Sequence, residues 1–113
     1  MYRDATVVTV NPEGIGRFGD PAVLILTSLA GGPNHGYGLV KDIEELAGVR
    51  LGPGTLYGAL GRLEERGLVE PLASDDRRRP YRITARGATA LRVYLEHAEQ
   101  VARRGLRRLA AFA

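Results

Sequence analysis

A run of three arginines, Arg77–Arg79, offers the clearest chemistry in this sequence, which is the binding of phosphate. The guanidinium group presents a planar fork of donors that matches phosphate oxygens and the edge of guanine. Fifteen of the sixteen basic residues are arginines, and five of them lie between Ser74 and Gly87 beside two aspartates. This cluster predicts contact with a nucleic acid, and the plain alternative is a solvated loop tip.

Other chemistry finds little support. The chain of 113 residues fits one domain and contains no cysteine, which excludes disulfides, thiol catalysis and cysteine-ligated metals. The two histidines, His35 and His97, lack the spacing of metal ligands. No serine or aspartate accompanies His35 in a catalytic arrangement. The sequence therefore predicts a protein with no enzymatic activity, no metal and no cofactor.

One glycine motif supports a different class of protein. Residues 14–19, "GIGRFG", match the G-x-G-x-x-G pattern of dinucleotide-binding enzymes after a strand-like "TVVTV". However, the next helix begins at Asp20-Pro21, too late for its N-terminus to hold a pyrophosphate. The second strand that such a site needs is replaced by the helical "YGLVKDIEEL". Dinucleotide binding remains the weakest alternative.

Capping residues and apolar spacing predict four helices. Asp20 and Pro21 begin an apolar helix that suits a buried position, and "GGPN" ends it. The second helix is predicted to be capped by Asn34 and ended by Gly48, the third to run from Gly52-Pro53 to Gly67, and the fourth to run from a Thr84 cap to the C-terminus. Apolar residues at i, i+4 and i+7 give the second and third helices their inner faces: Leu39, Ile43 and Leu46, then Leu56, Leu60 and Leu63.

Strands fill the remaining positions. Residues 5–10 are rich in valine and threonine and predict a short strand. "LVEPL" and "PYRIT" predict a hairpin whose prolines, Pro71 and Pro80, favour edge strands. Three helices, a hairpin and a long helix make a mainly α (α+β) protein with the winged helix-turn-helix plan. We expect an N-terminal extension over 1–19, either a strand or a flexible arm, a DNA-binding domain over 20–84 and a dimerisation helix over 85–113.

The third helix carries two glycines on its outer face, Gly58 and Gly61, and each costs about 1 kcal/mol of helix stability relative to alanine. Their lack of side chains would permit close approach to a DNA groove. The bland alternative is that they are incidental on an exposed helix.

Apolar residues repeat along the fourth helix with a heptad spacing and so form one apolar face. The helix is too long for the small domain to cover this face, so we expect a second copy of the chain to cover it. Gly105 on this face would permit close crossing of a second helix or mark a bend. Four arginines lie near it, within residues 103–108. They would keep the helix end soluble, contact the flanks of a DNA site or contact anionic lipid. The predicted dimerisation residues are Leu91, Leu95, Ala98, Ala102, Leu109 and Phe112.

Three ordered motifs carry a family resemblance: "HGYGLVKDIEE", "GPGTLYGALGRLEERGLVE" and "RRRPYRITARGATAL". Over residues 20–95 the chain resembles the PadR family of transcriptional regulators, and its single last helix is similar to the small class of that family. The resemblance implies a homodimeric repressor that binds double-stranded DNA and is released by a small hydrophobic or aromatic effector. Together with the exposed faces predicted above, it implies DNA contacts from His35, Tyr37, Pro53, Thr55, Tyr57, Gly58, Gly61, Arg62, Arg77, Arg78, Arg79 and Tyr81.

The chain departs from the family pattern at Gly52, where members often carry serine, and at Gly58 and Gly61, where larger side chains are common. Few side chains are then left to read bases, so DNA shape would contribute more to recognition. A winged helix that binds a protein partner instead of DNA is the nearer alternative, and it should expose apolar residues on the third helix. The N-terminus lacks a basic segment followed by an apolar run, and we expect a cytoplasmic protein without membrane contact.

Overall fold

Four helices and two small antiparallel sheets make up the described part of the chain, which in this computed structural model comprises residues 7–8, 19–74 and 77–112. The elements follow the predicted order, with a two-residue strand on either side of the first two helices. They are β1 (Val7–Val8), α1 (Pro21–Ala30), α2 (Gly36–Ala47), β2 (Arg50–Leu51), α3 (Pro53–Glu65), β3 (Val69–Pro71), β4 (Tyr81–Ile83) and α4 (Ala85–Ala110).

Local capping explains most helix ends. The Asp20 carboxylate accepts a hydrogen bond of 2.8 Å from the backbone N–H of Ala22, with Pro21 at the first helical position. Gly48 ends α2 in the left-handed conformation, at φ 68°, which glycine adopts without steric cost. These caps are confirmed as predicted.

The predicted cap of α2 is wrong by one residue. His35, not Asn34, occupies the cap position, and its Nδ1 accepts a hydrogen bond of 3.2 Å from the backbone N–H of Gly38. The Asn34 side chain instead accepts from the backbone N–H of His35 at 2.9 Å. Asn34 therefore supports the residue that caps α2, because its own backbone is committed to a strand-like bridge.

The core lies between the inner faces of α1, α2 and α3. Ile25, Leu39, Ile43, Leu56 and Leu60 are fully buried there. Burial of side chains of this size contributes roughly 1.5–3 kcal/mol each, which is the main stabilisation that a domain this small can gain.

One core prediction is wrong. Leu46 is 45% exposed although it continues the spacing of Leu39 and Ile43. It lies in the last turn of α2, where its neighbours Glu44 and Glu45 are also exposed. Between α1 and α2, the buried hydroxyl of Ser28 donates to the carboxylate of Asp42 at 2.5 Å, which satisfies a polar group inside the core.

The predicted hairpin is confirmed. Strands β3 and β4 pair in antiparallel register, with Val69 opposite Ile83 and Pro71 opposite Tyr81. We call residues 69–83 the wing. A second small sheet pairs Val7 with Leu51, just before α3. The rest of the predicted strand over 5–10, and residues 14–18 of the glycine motif, lie outside the described residues.

The last helix, α4, is 26 residues long and spans about 39 Å at 1.5 Å per residue. Thr84 caps it as predicted. Only its first turns pack on the domain, where Gly87 and Leu91 are buried, and the described residues after Leu91 are all exposed. The fold is therefore a winged helix-turn-helix domain with a long helix that projects from it.

Candidate nucleic-acid interface

The outer face of α3 is exposed and largely polar, and it carries two glycines. Its inner face buries Leu56, Ala59, Leu60 and Leu63, which fixes the direction of the outer face. The predicted residues of this helix lie outward or at its edge, with Thr55 half-buried. The exposed ones are Pro53, Tyr57, Gly58, Gly61 and Arg62.

The packing of the chain itself does not require the two glycines of this face. A methyl group added at Gly61 would meet no atom within 4 Å. One added at Gly58 would meet only the end of the Arg62 side chain, at 3.5 Å. Packing inside the described chain therefore does not explain the two glycines. They either permit close approach of another molecule or are incidental on an exposed helix.

A cleft of about 250 Å³ opens where the start of α2, α3 and the wing meet. Three of its lining residues are consecutive arginines, and four more come from the aromatic and histidine positions predicted to contact DNA. The lining consists of His35, Gly36, Tyr37, Tyr57, Arg77, Arg78, Arg79 and Tyr81. The cleft therefore brings together predicted residues from three separate segments, the start of α2, helix α3 and the wing.

The start of α2 gives this cleft a second source of positive potential. The first backbone N–H groups of a helix carry a partial positive charge. His35 uses Nδ1 to accept the bond from Gly38, so in this tautomer its Nε2–H is the ring donor left for a ligand. An anion in the cleft would meet the helix start and the arginine side chains together.

Tyr57 reaches from α3 across to α2. A methyl group at Gly36 would overlap the Tyr57 hydroxyl, so the hydroxyl rests directly on the first residue of α2. Tyr57 nevertheless stays 54% exposed. Tyr57 is therefore a surface residue whose hydroxyl is held against Gly36 at the mouth of the cleft. Gly36 was not among the predicted site residues, although it stands between His35 and Tyr37 in the sequence.

Tyr37 stands beside Tyr57 and is 66% exposed. The Lys41 ammonium group lies 5.7 Å from the centre of its ring, within the range of a cation–π contact. Lys41, the one lysine of the chain, was not among the predicted contact residues, because its closeness to the Tyr37 ring appears only in the folded helix.

The wing is attached to the start of α2 by a backbone bridge. Asn34 N–H donates to the Tyr81 carbonyl at 3.1 Å, and Tyr81 N–H donates to the Asn34 carbonyl at 2.8 Å. Across the hairpin, Arg82 Nε donates to the Glu70 carboxylate at 2.5 Å. The backbone bridge holds the base of the wing beside the start of α2. The ion pair links Arg82 to Glu70 on the neighbouring strand of the hairpin.

The predicted dimerisation residues form a line along α4, but they differ in exposure. Leu91 is only 6% exposed and belongs to the core of its own domain. From Leu95 onward the line is exposed, and the large residues Val101 and Leu106, which the heptad count omitted, widen it. We call Leu95, Ala98, Val101, Ala102, Leu106, Leu109 and Phe112 the apolar stripe.

Among residues 19–74 and 77–112, no group of histidine and acidic side chains could hold a metal ion. In the same part of the chain, no helix is long and apolar enough to span a membrane.

A scan against protein families matches residues 25–93 to the transcriptional regulator PadR-like family. The match covers α1, α2, α3, the wing and the first turns of α4. It therefore includes the whole core and the cleft.

Individual proteins agree with this match. A PadR family transcription regulator from Clostridium difficile has a crystal structure with a TM-score of 0.72 at 25% identity, covering 80% of this chain and 99% of that one. An uncharacterised 37.1 kDa protein of transposon TN4556 from Streptomyces fradiae is 49% identical over 75 residues, 66% of this chain and 22% of its own length. The transcriptional activator GvpE2 of Halobacterium salinarum is 31% identical over 98 residues, 87% of this chain and 47% of its own length. This chain thus spans less than half the length of the two curated relatives.

Proposed function

The chain belongs to the PadR-like family of transcriptional regulators, and we propose that it binds operator DNA as a homodimer and represses transcription. Proteins of this family are DNA-binding regulators without enzymatic activity, so the dinucleotide-enzyme alternative is set aside. The observation that carries the proposal is the cleft in which His35, Tyr57 and the three wing arginines converge.

In the proposed complex, α3 lies in the major groove and the wing follows the phosphate backbone, as in other helix-turn-helix proteins. The glycine face of α3 supports close approach, because Gly58 and Gly61 present no side chain to the groove. Thr55 and Arg62 are the nearest base-reading side chains, and DNA shape supplies further specificity.

The phosphate contact is proposed for the cleft. Three arginines, the donor Nε2–H of His35 and the start of α2 all favour a negative charge there. The Tyr57 hydroxyl at the cleft mouth can donate to the same phosphate. This arrangement would fix the register of the protein on the duplex, whereas the bases would be read by α3.

The protein-interaction alternative receives less support from α3. Tyr57 is the one large apolar side chain that this helix exposes. A surface that binds a protein partner is usually richer in exposed apolar and aromatic residues. The polar, glycine-rich face of α3 fits a groove in nucleic acid better.

Homodimer formation is proposed through the apolar stripe, because α4 projects from the domain with that stripe uncovered. Leu95→Asp should convert the dimer to monomers in sedimentation velocity, and an unchanged dimer would contradict the assignment. Regulation by a small apolar effector stays a prediction. A change in DNA affinity when aromatic compounds are added would support it, and unchanged affinity across a broad set of them would count against it. Since a regulator acts where the DNA is, we propose a cytoplasmic location.

The experiment for the proposed function is fluorescence anisotropy with DNA from upstream of the gene, beside a scrambled duplex, at two salt concentrations. We expect tight binding that depends on sequence and weakens steeply with salt. Weak binding that is equal on both duplexes would contradict it. One relative is named a transcriptional activator. In vitro transcription with and without the protein therefore tests whether this chain represses or activates transcription.

A further inference from the structure

The cleft beside the wing is larger and more aromatic than a phosphate contact alone requires. Its volume is about 250 Å³, whereas a cavity of about 150 Å³ suffices to hold a benzene ring. Three of the five tyrosines of the chain line it, namely Tyr37, Tyr57 and Tyr81. The cleft therefore has room for a flat ring beside a phosphate group, and its walls suit such a ring.

Two of these tyrosines, Tyr37 and Tyr57, are each more than half exposed, so they offer aromatic surface to a ligand. Tyr57 belongs to α3, and its hydroxyl rests on Gly36 of α2. Because this side chain is held at both ends, a ligand that stacks on its ring does not have to immobilise it first. Tyr57 is thus a preformed stacking surface.

Positive charge lies beside these rings. The three arginines of the wing line the same cleft, and the Lys41 ammonium group lies 5.7 Å from the centre of the Tyr37 ring. Proteins that bind single-stranded nucleic acid combine the same two features, a basic groove along the phosphates and aromatic rings on which the bases stack. The composition of the cleft therefore fits a phosphate and a base together.

Duplex DNA leaves the aromatic part of the cleft unused. The bases of a duplex are stacked inside it and must be flipped out before they can contact a ring beside the backbone. A protein surface that follows the backbone meets phosphates and sugars instead. In the operator complex proposed above, the wing arginines contact phosphate, and the part proposed for Tyr57 is its hydroxyl group. A nucleotide whose base is unstacked would use the charges and the rings together.

We propose that the cleft also binds an unstacked nucleotide, with its base against the rings of Tyr37 and Tyr57 and its phosphate on the wing arginines. A free mononucleotide and a single strand both supply this chemistry. The inference rests on the cleft assigned above to operator phosphate, and it adds a ligand class and a mode of regulation. Because both ligands need the same arginines, the nucleotide and the operator duplex exclude each other.

The first experiment asks whether the base contributes to binding. Calorimetry on the full chain compares adenosine monophosphate with ribose 5-phosphate, which lacks the base. Fluorescence anisotropy compares a short single-stranded oligodeoxyadenylate with an abasic strand of the same length. In at least one of these two arms, we expect the probe with bases to bind at least fivefold more tightly than its control, the lower end of what one stacking contact produces.

The two arms also distinguish the sources of the nucleotide. A strand that binds more than tenfold more tightly than the mononucleotide identifies single-stranded nucleic acid as the ligand, whereas comparable affinities identify the free nucleotide. Equal affinities with and without the base in both arms would show a site for phosphate alone and overturn the proposal. No saturable binding in either arm would overturn it as well.

Variants of Tyr37 test the stacking contact. Tyr37→Ala should weaken the probe with bases by at least fivefold and leave the base-free control unchanged. Tyr37→Phe keeps the ring without the hydroxyl and should bind like the wild type. Tyr94→Ala is the matched control, since Tyr94 is an exposed tyrosine of α4 that does not line the cleft. A Phe variant as weak as the Ala variant would refute stacking, and circular dichroism checks that each variant is folded.

Competition places the nucleotide in the cleft. The tighter probe should displace labelled operator duplex with an inhibition constant equal to its own dissociation constant, beside the base-free control at the same ionic strength. A probe that binds without displacing the duplex occupies another site and overturns the proposal. Operator binding without any nucleotide binding refutes this inference alone, whereas absence of both refutes the proposed function as well.

Discussion

The Thr84 hydroxyl donates a hydrogen bond of 2.7 Å to the carbonyl oxygen of Gly67, and so joins the segment that follows α3 to the start of α4. The same hydroxyl accepts a bond of 3.0 Å from the backbone N–H of Gly87 and caps α4. The Thr84 N–H also donates to the Leu68 carbonyl at 3.1 Å. The Thr84 hydroxyl therefore both caps α4 and connects it to the residues that follow α3.

Thr84→Val should lower the free energy of unfolding by about 1–2 kcal/mol, because it removes both the helix cap and the bond to Gly67. Urea denaturation measures the loss. Thr84→Ser is the control, since it keeps the hydroxyl and should stay close to the wild type. Equal stability of the two variants would show that the hydroxyl contributes nothing.

Local signals made the helices predictable, because a cap is decided by a few neighbouring residues. Asp20, Gly48 and Thr84 each hold the role that their residue type predicts. The α2 cap failed because Asn34 and His35 can both accept a hydrogen bond from the helix start. A backbone bridge to Tyr81, 47 positions away, decided between them.

The sequence predicted most of the residues of the candidate nucleic-acid interface, but it did not predict that they would line one cleft. Motif spacing named His35, Tyr57 and the wing arginines separately. Only the folded chain brings them to one opening. Gly36 could not be found from spacing alone, since its role depends on the reach of a tyrosine from another helix.

Gly36→Ala should weaken operator binding by roughly tenfold, which corresponds to about 1.4 kcal/mol. The added methyl group overlaps the Tyr57 hydroxyl and moves that side chain away from the cleft mouth. Anisotropy measures the affinity, and circular dichroism checks that α2 remains folded.

A double-mutant cycle shows whether this effect passes through Tyr57. In a Tyr57→Ala background the overlap no longer exists, so Gly36→Ala should change the affinity little. If the two substitutions instead lowered affinity additively, Gly36 would act independently of Tyr57, and the positioning role would be wrong.

Arg77→Ala and Arg79→Ala should each weaken binding on all DNA sequences. Each should also reduce the slope of log affinity against log salt by about one, as expected for one lost phosphate contact. Arg78→Ala should act in the same direction. Arg103→Ala is the matched control, because that arginine pairs with Glu99 on the projecting helix. A slope that falls equally in the control would point to general charge instead of the cleft.

Gly58→Ala and Gly61→Ala should separate stability from DNA binding. In the free protein a methyl group fits at both positions, so each substitution should raise the free energy of unfolding by up to about 1 kcal/mol through helix propensity. If α3 lies close against the groove, the same methyl groups occupy space that the DNA needs, and operator affinity should fall. Urea denaturation measures the free energy of unfolding, and fluorescence anisotropy on the same preparation measures the operator affinity. Variants that gain stability and keep full affinity would mean that the two glycines are incidental, and that α3 does not approach the groove closely at these positions.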